Sequence, residues 1–231
     1  MIDIRHADSR GKADFGWLQS RHSFSFASYY DPAHMGFSDL RVINDDRVLP
    51  RAGFDTHGHR DMEIISYVLA GAIRHRDSAG NEEVLRAGEF QLMSAGRGIL
   101  HSEYNASDSE ELRFLQIWIE PNQRGGEPGY QQKDFGMAPG LTLVASPDGA
   151  DGSLQMRQDA RLYQLILAPG ETLAFSQPAG RCSYVHVVNG QLQLGDCQIG
   201  PGDAAKVSEL PAYTLHNVGR EPLQALLFDL A

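Results

Sequence analysis

Two stretches of this chain contain closely spaced histidines and carboxylates: Phe54-Asp55-Thr56-His57-Gly58-His59-Arg60-Asp61-Met62-Glu63 and His101-Ser102-Glu103. Side chains at positions i and i+2 of a β-strand point to the same face of a sheet. His57 and His59 are therefore expected to project together, and so are His101 and Glu103. Two such pairs on facing strands would surround a common point, which predicts a metal site inside a β-sheet fold.

The residue types determine which ion this site would suit. Imidazole nitrogens and a carboxylate oxygen, without thiolate, are ligands for a divalent first-row transition metal. Four protein ligands around an ion that prefers six leave two positions for water, substrate or dioxygen, which is typical of a working site. The alternative is that His57 and His59 are surface histidines near a turn and Glu103 is an ordinary strand residue. The second pair with the same spacing, set among glycine-rich turns, favours the metal.

Length and composition predict an all-β protein. The 231 residues include 24 glycines and 11 prolines, scattered among short apolar runs, as expected for many strands joined by turns. A chain of this length forms one large domain or two of about 100 residues each. Cys182 and Cys197 are too few for a disulfide framework and lack C-x-x-C spacing.

Charge narrows the classes of partner. The formal net charge is −10, and no block of lysine or arginine is dense enough to follow a phosphate backbone, which argues against direct nucleic-acid binding. The segment from Met1 to Asp14 carries several charges and has neither an apolar signal core nor a membrane span. A cytoplasmic protein without membrane association is therefore predicted.

Several segments have a predicted local structure. Runs ending at Gly71, Asp77, Met93 and Glu120 predict strands, and Gly96 and Gly98 allow the backbone to bend before the second pair. Phe24 and Phe26 alternate with serines and predict a half-buried strand that a turn at Asp31-Pro32 closes. Residues 40–49 predict an edge hairpin interrupted at Asn44-Asp45-Asp46. Residues 121–140 lack periodicity and predict a linker.

The remaining histidines of the first half are interpreted as structural. His22 could support a metal site from behind, but a histidine in an aromatic-rich strand is more often held by packing. The same interpretation applies to His6, His34 and His75.

The second half resembles a worn copy of the first. Residues 184–190 match residues 66–71 in type, and residues 200–204 match residues 86–90. Alignment on Gly71 and Gly190 places Ser176 and Pro178 at the positions of His57 and His59, and Val218 at that of Glu103. His216 is then the one ligand that survives. The repeat predicts two tandem domains of one fold, a metal-binding domain at 1–132 and a domain without a complete metal site at 133–231.

Together, the H-x-H pair, the Ala87-Gly88-Glu89-Phe90 turn and the H-x-E pair resemble the cupin superfamily of small antiparallel β-barrels. Within it, the chain resembles the pirins. The strings that carry this resemblance span most of the chain: His22-Ser-Phe-Ser-Phe-Ala, Tyr29-Tyr-Asp-Pro, Leu40-Arg-Val-Ile-Asn-Asp, His57-Gly-His-Arg-Asp-Met-Glu, Ser94-Ala-Gly-Arg-Gly-Ile-Leu-His-Ser-Glu-Tyr-Asn and Ser146-Pro-Asp-Gly-Ala-Asp-Gly-Ser-Leu.

The resemblance implies a set of ligands and an ion. In pirins the ligands fall on His57, His59, His101 and Glu103, and the expected ion is iron(II), with nickel, copper, manganese, cobalt and zinc as alternatives. The general cupin pattern instead places its carboxylate shortly after H-x-H, at Glu63, which by strand parity also faces the side of His57. The family implies a monomer and a C-terminal barrel that has lost its site.

The resemblance also implies a function. Bacterial pirins act as metal-dependent dioxygenases that open the central ring of flavonols such as quercetin with release of carbon monoxide, which requires dioxygen and an aromatic substrate. Glu103 is then the base that takes the proton of the 3-hydroxyl group. The alternative is a non-enzymatic metal-binding protein that regulates a transcription factor or a metabolic enzyme, and an isomerase or hydrolase on the same fold is a third reading.

Overall fold

The computed structural model describes all 231 residues, and they form the predicted all-β fold. The helical elements are two 3-10 turns, Ala7–Ser9 and Ala150–Gly152, so the structure contains no helix with the length and apolar character needed to cross a membrane. The strands in chain order are β1 (Ile2–Arg5), β2 (Gly11–Asp14), β3 (Leu18–His22), β4 (Leu40–Val48), β5 (Gly53–His59), β6 (Glu63–Ala70), β7 (Ala72–Asp77), β8 (Glu82–Arg86), β9 (Glu89–Ser94), β10 (Ile99–Asn105), β11 (Leu112–Ile119), β12 (Gly129–Asp134), β13 (Gly140–Ser146), β14 (Leu154–Gln155), β15 (Arg161–Leu167), β16 (Thr172–Ser176), β17 (Cys182–Asn189), β18 (Leu192–Leu194), β19 (Cys197–Ile199), β20 (Ala204–Val207), β21 (Ala212–Asn217) and β22 (Leu223–Leu230).

The strands form two compact units. The N-terminal unit contains residues 11–136 and 156–158, and the C-terminal unit contains residues 1–10, 137–155 and 159–231. Each unit has a seven-stranded and a four-stranded sheet. The orders are β12-β9-β6-β11-β4-β3-β2 and β5-β10-β7-β8 in the N-terminal unit, and β1-β20-β17-β22-β15-β13-β14 and β16-β21-β18-β19 in the C-terminal unit. The strands of the repeat follow the same order in both units, which confirms two tandem domains of one fold.

The units differ from the ranges 1–132 and 133–231 at their ends. Strand β1 pairs antiparallel with β20, with Ile4 opposite Ala205, and the first ten residues therefore belong to the C-terminal unit. This pairing hydrogen-bonds an edge of β20 that would otherwise be open.

The core of the N-terminal unit lies between its two sheets. Val68 and Phe114 of the seven-stranded sheet pack with Ile73 and Leu85 of the four-stranded sheet, and all four are fully buried. Successive side chains of a strand point to opposite faces of the sheet, and these residues point into the space between the two sheets. The same inner face carries polar side chains further along the strands, and these form the site.

Residues 23–39 do not form the strand predicted around Phe24 and Phe26. Strand β3 ends at His22, and a single bridge joins Phe26 to Tyr29 around Ala27, which has a φ of 50°. The Ser25 hydroxyl bonds both the N–H and the carbonyl of Asp31. Such local side-chain hydrogen bonds compete with a strand ladder, which explains why the alternating pattern is misleading here.

Residues 40–49 were predicted as an edge hairpin, and this prediction is wrong. They form one continuous strand, β4, between β3 and β11. Two of the polar residues at its centre have partners within the sheet: Asn44 contacts His22, and Asp45 accepts two hydrogen bonds from Arg113. The polar run therefore does not require a turn.

The predicted linker at 121–140 also contains a strand. Strand β12 pairs with β9 along six residues and extends the seven-stranded sheet. This strand is held by polar contacts and not by an alternating apolar pattern. Its Gln132 donates to the carbonyl oxygen of Val84 and to the carboxylate of Glu89.

The structure also changes the alignment of the repeat. Asn105 and Asn217 are equivalent: each donates through Nδ2 to two backbone carbonyl groups and accepts from the N–H two residues further on. Counting back along β10 and β21 from these residues places Tyr213 at the position of His101 and Leu215 at that of Glu103. The pairing of β21 with β16 then places Phe175 at the position of His57.

The alignment that made His216 a surviving ligand is therefore wrong. The glycine anchors did not reveal that the two halves differ in the number of residues between Gly71 and Asn105 and between Gly190 and Asn217. In the C-terminal unit, the positions equivalent to ligands belong to the apolar core, where Phe175 packs against buried Tyr213 and Leu215.

Replacing Leu215 by alanine should destabilise the C-terminal unit. Leu215 is fully buried in that core, so its truncation leaves a cavity and should lower the free energy of unfolding by about 2–5 kcal/mol. Urea denaturation measures this change. Leu100→Ala is the control, because Leu100 is 52% exposed and its loss should cost less than about 0.5 kcal/mol. A similar small cost for both variants would contradict the assignment of this core.

Candidate metal centre

Strands β5 and β10 bring the first three predicted ligands together. The strands pair antiparallel with His57 opposite His101. The ring centroids of His57, His59 and His101 lie 4.5, 4.8 and 4.9 Å apart in pairs. Their ligand nitrogens lie within 4.8 Å of one another. The three imidazoles therefore converge on one point.

The spacing of two of these nitrogens fits a shared ion. Nε2 of His57 lies 3.1 Å from Nε2 of His101. Two nitrogens that each lie about 2.1 Å from one ion, at roughly 90–109° to each other, are about 3.0–3.4 Å apart. Nδ1 of His57 lies 2.7 Å from the carbonyl oxygen of Asp55 and donates to it, which leaves the Nε2 lone pair for an ion.

The electrostatic environment keeps the imidazoles of His59 and His101 neutral. Burial lowers the pKa of His59 to about 4, and the neighbouring His101 and His57 contribute to the shift. Burial also lowers the pKa of His101 to about 3, with His57 and His75 adding to it. Both rings are therefore unprotonated at neutral pH, which is the form that binds a metal.

Glu103 belongs to a second group of potential ligands, which shares His101 with the first group. The carboxylate of Glu103 lies in a second group with His75 and His101, again with ligand atoms within 4.8 Å of one another, and all three residues are buried. The predicted four residues thus occupy two overlapping groups of three that share His101. The close approach of β5 to β10 requires glycine at position 53, because the Cβ of any other residue there would lie 2.4 Å from the carbonyl oxygen of Glu103.

Hydrogen bonds orient the Glu103 carboxylate. Its Oε1 accepts from Nε2 of Gln91 at 2.7 Å and from the Ser66 hydroxyl at 3.2 Å. Its Oε2 is buried and has no hydrogen-bond partner in the protein. One oxygen is therefore held by the sheet, while the other is left for an ion or a proton.

Tyr130 helps to orient the Gln91 amide. The Tyr130 hydroxyl lies 3.1 Å from Oε1 of Gln91 and 2.8 Å from Oε1 of Gln132. Burial raises the pKa of Tyr130, and Glu83 and Glu103 add to this effect, so the hydroxyl remains protonated. Its single proton is shared between these two amide oxygens. A donor at Oε1 of Gln91 turns its Nε2 toward Glu103.

The Tyr130→Phe variant should weaken metal binding without removing a ligand. The Gln91 amide loses a donor that helps to orient it. Mutation of residues that hold metal ligands in place typically lowers the metal affinity by about 10–100-fold. Competition with a chelator of known affinity measures this loss for the purified protein. Tyr104→Phe is the matched control, since Tyr104 follows Glu103 on β10 but donates to Asp55. Equal metal affinity in Tyr130→Phe and the wild type would refute the orienting role.

Glu63, the alternative carboxylate, is buried outside both groups. The strand that strict parity assumed is interrupted after His59, and β6 begins at Glu63. Asp61 in the connection has a φ of 49° and accepts from the N–H of Gly125. The Glu63 carboxylate accepts from the Ser94 hydroxyl at 2.8 Å and from the N–H of Arg157 at 3.2 Å.

Sequence reasoning missed His75. This residue is fully buried, its Nε2 lies 3.1 Å from Asp77, and its ring stacks on Tyr130 at 4.5 Å. The signal was present in the run Arg74-His75-Arg76-Asp77, where charged arginines alternate with the histidine and the aspartate. In the structure the arginines are exposed, and His75 and Asp77 point inward.

A polar row across the seven-stranded sheet was also missed. Directly paired residues on six neighbouring strands are polar, and they are His22, Asn44, Gln116, Ser66, Gln91 and Gln132. Because these residues lie far apart in the chain, no local pattern reveals the row. His22, interpreted as structural, bonds Asn44 at 2.7 Å and lines the same cavity as His57 and His59.

This cavity adjoins the cluster and has a volume of about 420 Å³. Its wall includes the rings of Phe26, Phe54 and Trp118. The ring of Trp118 also packs edge-on against His59, with centroids 5.0 Å apart. Pockets of this size bind drug-sized molecules, and an aromatic wall suits a flat aromatic ligand.

The repeated two-sheet units, with a histidine and glutamate cluster inside one of them, define a two-domain cupin. Two family models match the chain: Pirin over residues 3–119, and the quercetinase C-terminal cupin domain over residues 143–230. The chain belongs to the pirin family. The prediction of two tandem cupin domains is thereby confirmed.

Individual relatives agree with this assignment. Quercetin 2,3-dioxygenase of Escherichia coli K12 is 47% identical over 230 residues, which cover 100% of this chain and 99% of the relative. The crystal structure of YhhW from Escherichia coli has a TM-score of 0.97 at 47% identity and covers 100% of this chain and 98% of that one. The bacterial pirin YhhW from Escherichia coli in complex with nickel(II) has a TM-score of 0.96 at 46% identity, with 100% and 99% covered. The predicted likeness to quercetin 2,3-dioxygenases is confirmed by these matches.

Proposed function

We propose that this protein is a metal-dependent dioxygenase that opens the central ring of flavonols such as quercetin and releases carbon monoxide. The observation that carries the proposal is the convergence of His57, His59 and His101, with Glu103 beside His101, next to a cavity with aromatic walls. The quercetin 2,3-dioxygenase name of a relative with 47% identity supports the same reaction.

We assign the metal ligands to His57, His59, His101 and Glu103. Three imidazoles and a carboxylate with an unpaired buried oxygen form a donor set that suits a divalent first-row ion. Iron(II) is the expected ion, with nickel, copper, manganese, cobalt and zinc as alternatives, and nickel(II) is bound in a structure of a related pirin. When bound, such an ion would stabilise the substrate oxyanion and bring substrate and dioxygen together.

The residues of the chain supply the proton transfer and the binding of the rings. Glu103 receives the proton of the flavonol 3-hydroxyl at Oε2, because Gln91 and Ser66 already occupy Oε1. Oε2 has two lone pairs, so one can accept the proton while the other faces the ion. A positioned base of this kind contributes about 10²–10⁴-fold to a rate. The rings of Phe54 and Trp118 hold the flat substrate and exclude water from the reacting carbon atoms.

An aerobic assay with each metal tests the proposal. The protein is purified without added metal, its metal content is determined by elemental analysis, and it is then loaded with iron, nickel, copper, manganese or cobalt. Loss of quercetin absorbance in air together with release of carbon monoxide is expected for at least one ion. Free ions without protein, and protein stripped of metal, are the controls for spontaneous oxidation. No turnover with any ion would refute the dioxygenase and favour the regulatory alternative.

Partners and location follow from the proposed reaction. The substrate is a small aromatic molecule used with dioxygen, and direct binding to nucleic acid is not expected for a chain with a net charge of −10. A monomer in the cytoplasm remains the prediction from the sequence, and a protein partner is expected only if the function is regulatory.

A further inference from the structure

Ser20 and Asp46 are two of the polar residues that line the cavity beside His57 and His59. The apolar part of the wall contains five aromatic rings, those of Phe15, Trp17, Phe26, Phe54 and Trp118. Between them, Ser20 on β3 and Asp46 on β4 also line the cavity. These two residues are direct partners in the pairing of β3 with β4, so they project side by side from the same face of the sheet.

Each of the two side chains has one polar atom that lacks a hydrogen-bond partner in the protein. Ser20 is 3% exposed and Asp46 is 2% exposed. Oγ of Ser20 and Oδ1 of Asp46 are buried and have no hydrogen-bond partner within the protein. The adjacent polar pair on the same two strands differs in this respect, because Nδ1 of His22 bonds Oδ1 of Asn44 at 2.7 Å. A buried polar group without a partner is unfavourable, and such a group in a cavity wall points to a ligand.

The chemistry of the pair selects a hydroxyl group. Burial raises the pKa of Asp46 to about 7, and the charges of Asp45 and Glu103 also raise it. The nearby Ser20 hydroxyl lowers this pKa, although Oγ of Ser20 and Oδ1 of Asp46 do not meet the geometry of a hydrogen bond. A carboxyl group near its midpoint both donates and accepts hydrogen bonds, as does a serine hydroxyl. A phenolic hydroxyl group likewise donates and accepts, and its ring fits the aromatic wall. A neutral apolar ring would leave both polar atoms unpaired.

We propose that Ser20 and Asp46 form a subsite that recognises a second hydroxyl group of the aromatic substrate, separate from the one presented to His57 and His59. This inference rests on the proposed function for the class of substrate. It narrows that class to polyhydroxylated aromatic compounds and makes Asp46 a determinant of specificity.

A pair of flavonols tests the subsite by binding alone. Quercetin carries at least one hydroxyl group on each of its three rings, whereas 3-hydroxyflavone carries only the 3-hydroxyl group. Metal-loaded protein is titrated with each compound without oxygen, so that no turnover occurs. Trp17 and Trp118 are the two tryptophans of the chain and both line the cavity, so quenching of their fluorescence reports on binding. Titration calorimetry gives an independent dissociation constant.

The wild type should bind quercetin more tightly than 3-hydroxyflavone. Asp46→Leu keeps a similar volume without a polar atom and should weaken quercetin binding by about tenfold while leaving 3-hydroxyflavone unchanged. Ser20→Ala should act in the same direction and provides a second variant if Asp46→Leu fails to fold. Asp45→Asn is the matched control, since Asp45 is the next residue on β4 but bonds Arg113 on the other face.

The results also separate this subsite from the reaction. Equal affinities for the two compounds in the wild type, equal losses for both in the variants, or binding of neither compound would overturn the subsite. If the subsite exists but the reaction has been assigned wrongly, the wild type will discriminate between the two compounds in these titrations and still show no ring opening in air.

Discussion

The His101→Ala variant should lose both bound metal and flavonol turnover. His101 is the residue shared by the two groups of potential ligands, and it is 1% exposed in the wild type. Its removal takes away a ligand and leaves Glu103 separated from His57 and His59. Mutation of residues that only hold ligands in place lowers the metal affinity by about 10–100-fold. We therefore expect the metal affinity to fall by more than about a hundredfold when a ligand itself is removed. Elemental analysis of the purified variant and a chelator competition measure this loss.

His216→Ala is the control for this variant. His216 lies on β21 in the C-terminal unit, opposite Thr172, and does not belong to either ligand group. Sequence alignment had nevertheless made it the surviving ligand of the repeat. Metal content and turnover should equal those of the wild type in this control. If His101→Ala kept its metal, the assigned ligand set would be refuted, whatever the outcome of the quercetin assay.

The Glu103→Gln variant should retain more metal than His101→Ala but lose turnover. The amide has nearly the same shape as the carboxylate, but it cannot accept the proton of the 3-hydroxyl. Its nitrogen also has to avoid Nε2 of Gln91, which donates to Oε1 of Glu103 in the wild type. We expect the rate per bound metal to fall by about 10²–10⁴-fold, the usual contribution of a general base.

Measuring this rate at equal metal occupancy separates catalysis from binding. Glu82→Gln is the matched control, because Glu82 is exposed on β8 of the same sheet. It should change neither the metal affinity nor the rate. A Glu103→Gln variant that turned over quercetin at the wild-type rate would exclude Glu103 as the base while leaving its role as a ligand open to the chelator competition.

The local patterns of the sequence were informative where each strand acted alone. The spacing of His57 and His59, and of His101 and Glu103, predicted inward pairs because alternation along a strand needs no knowledge of its neighbours. The same reasoning correctly predicted β6, β7 and β11. It failed at Phe24 and Phe26, where Ser25 and Asp31 form local hydrogen bonds. It also failed at Asn44 and Asp45, where partners on other strands satisfy polar side chains that were interpreted as part of a turn.

The sequence by itself determined an all-β chain with a tandem repeat, a pirin-like set of motifs and four candidate ligands. Only the tertiary structure decided what surrounds those ligands. His75, Gln91 and Tyr130 come together with Glu103, and Ser20 with Asp46, through the register of antiparallel strands that are distant in the chain. Register depends on how whole sheets pair, so it leaves no periodicity in any single segment. The same reason explains why the repeat alignment required Asn105 and Asn217, whose equivalence is visible only in their hydrogen bonds.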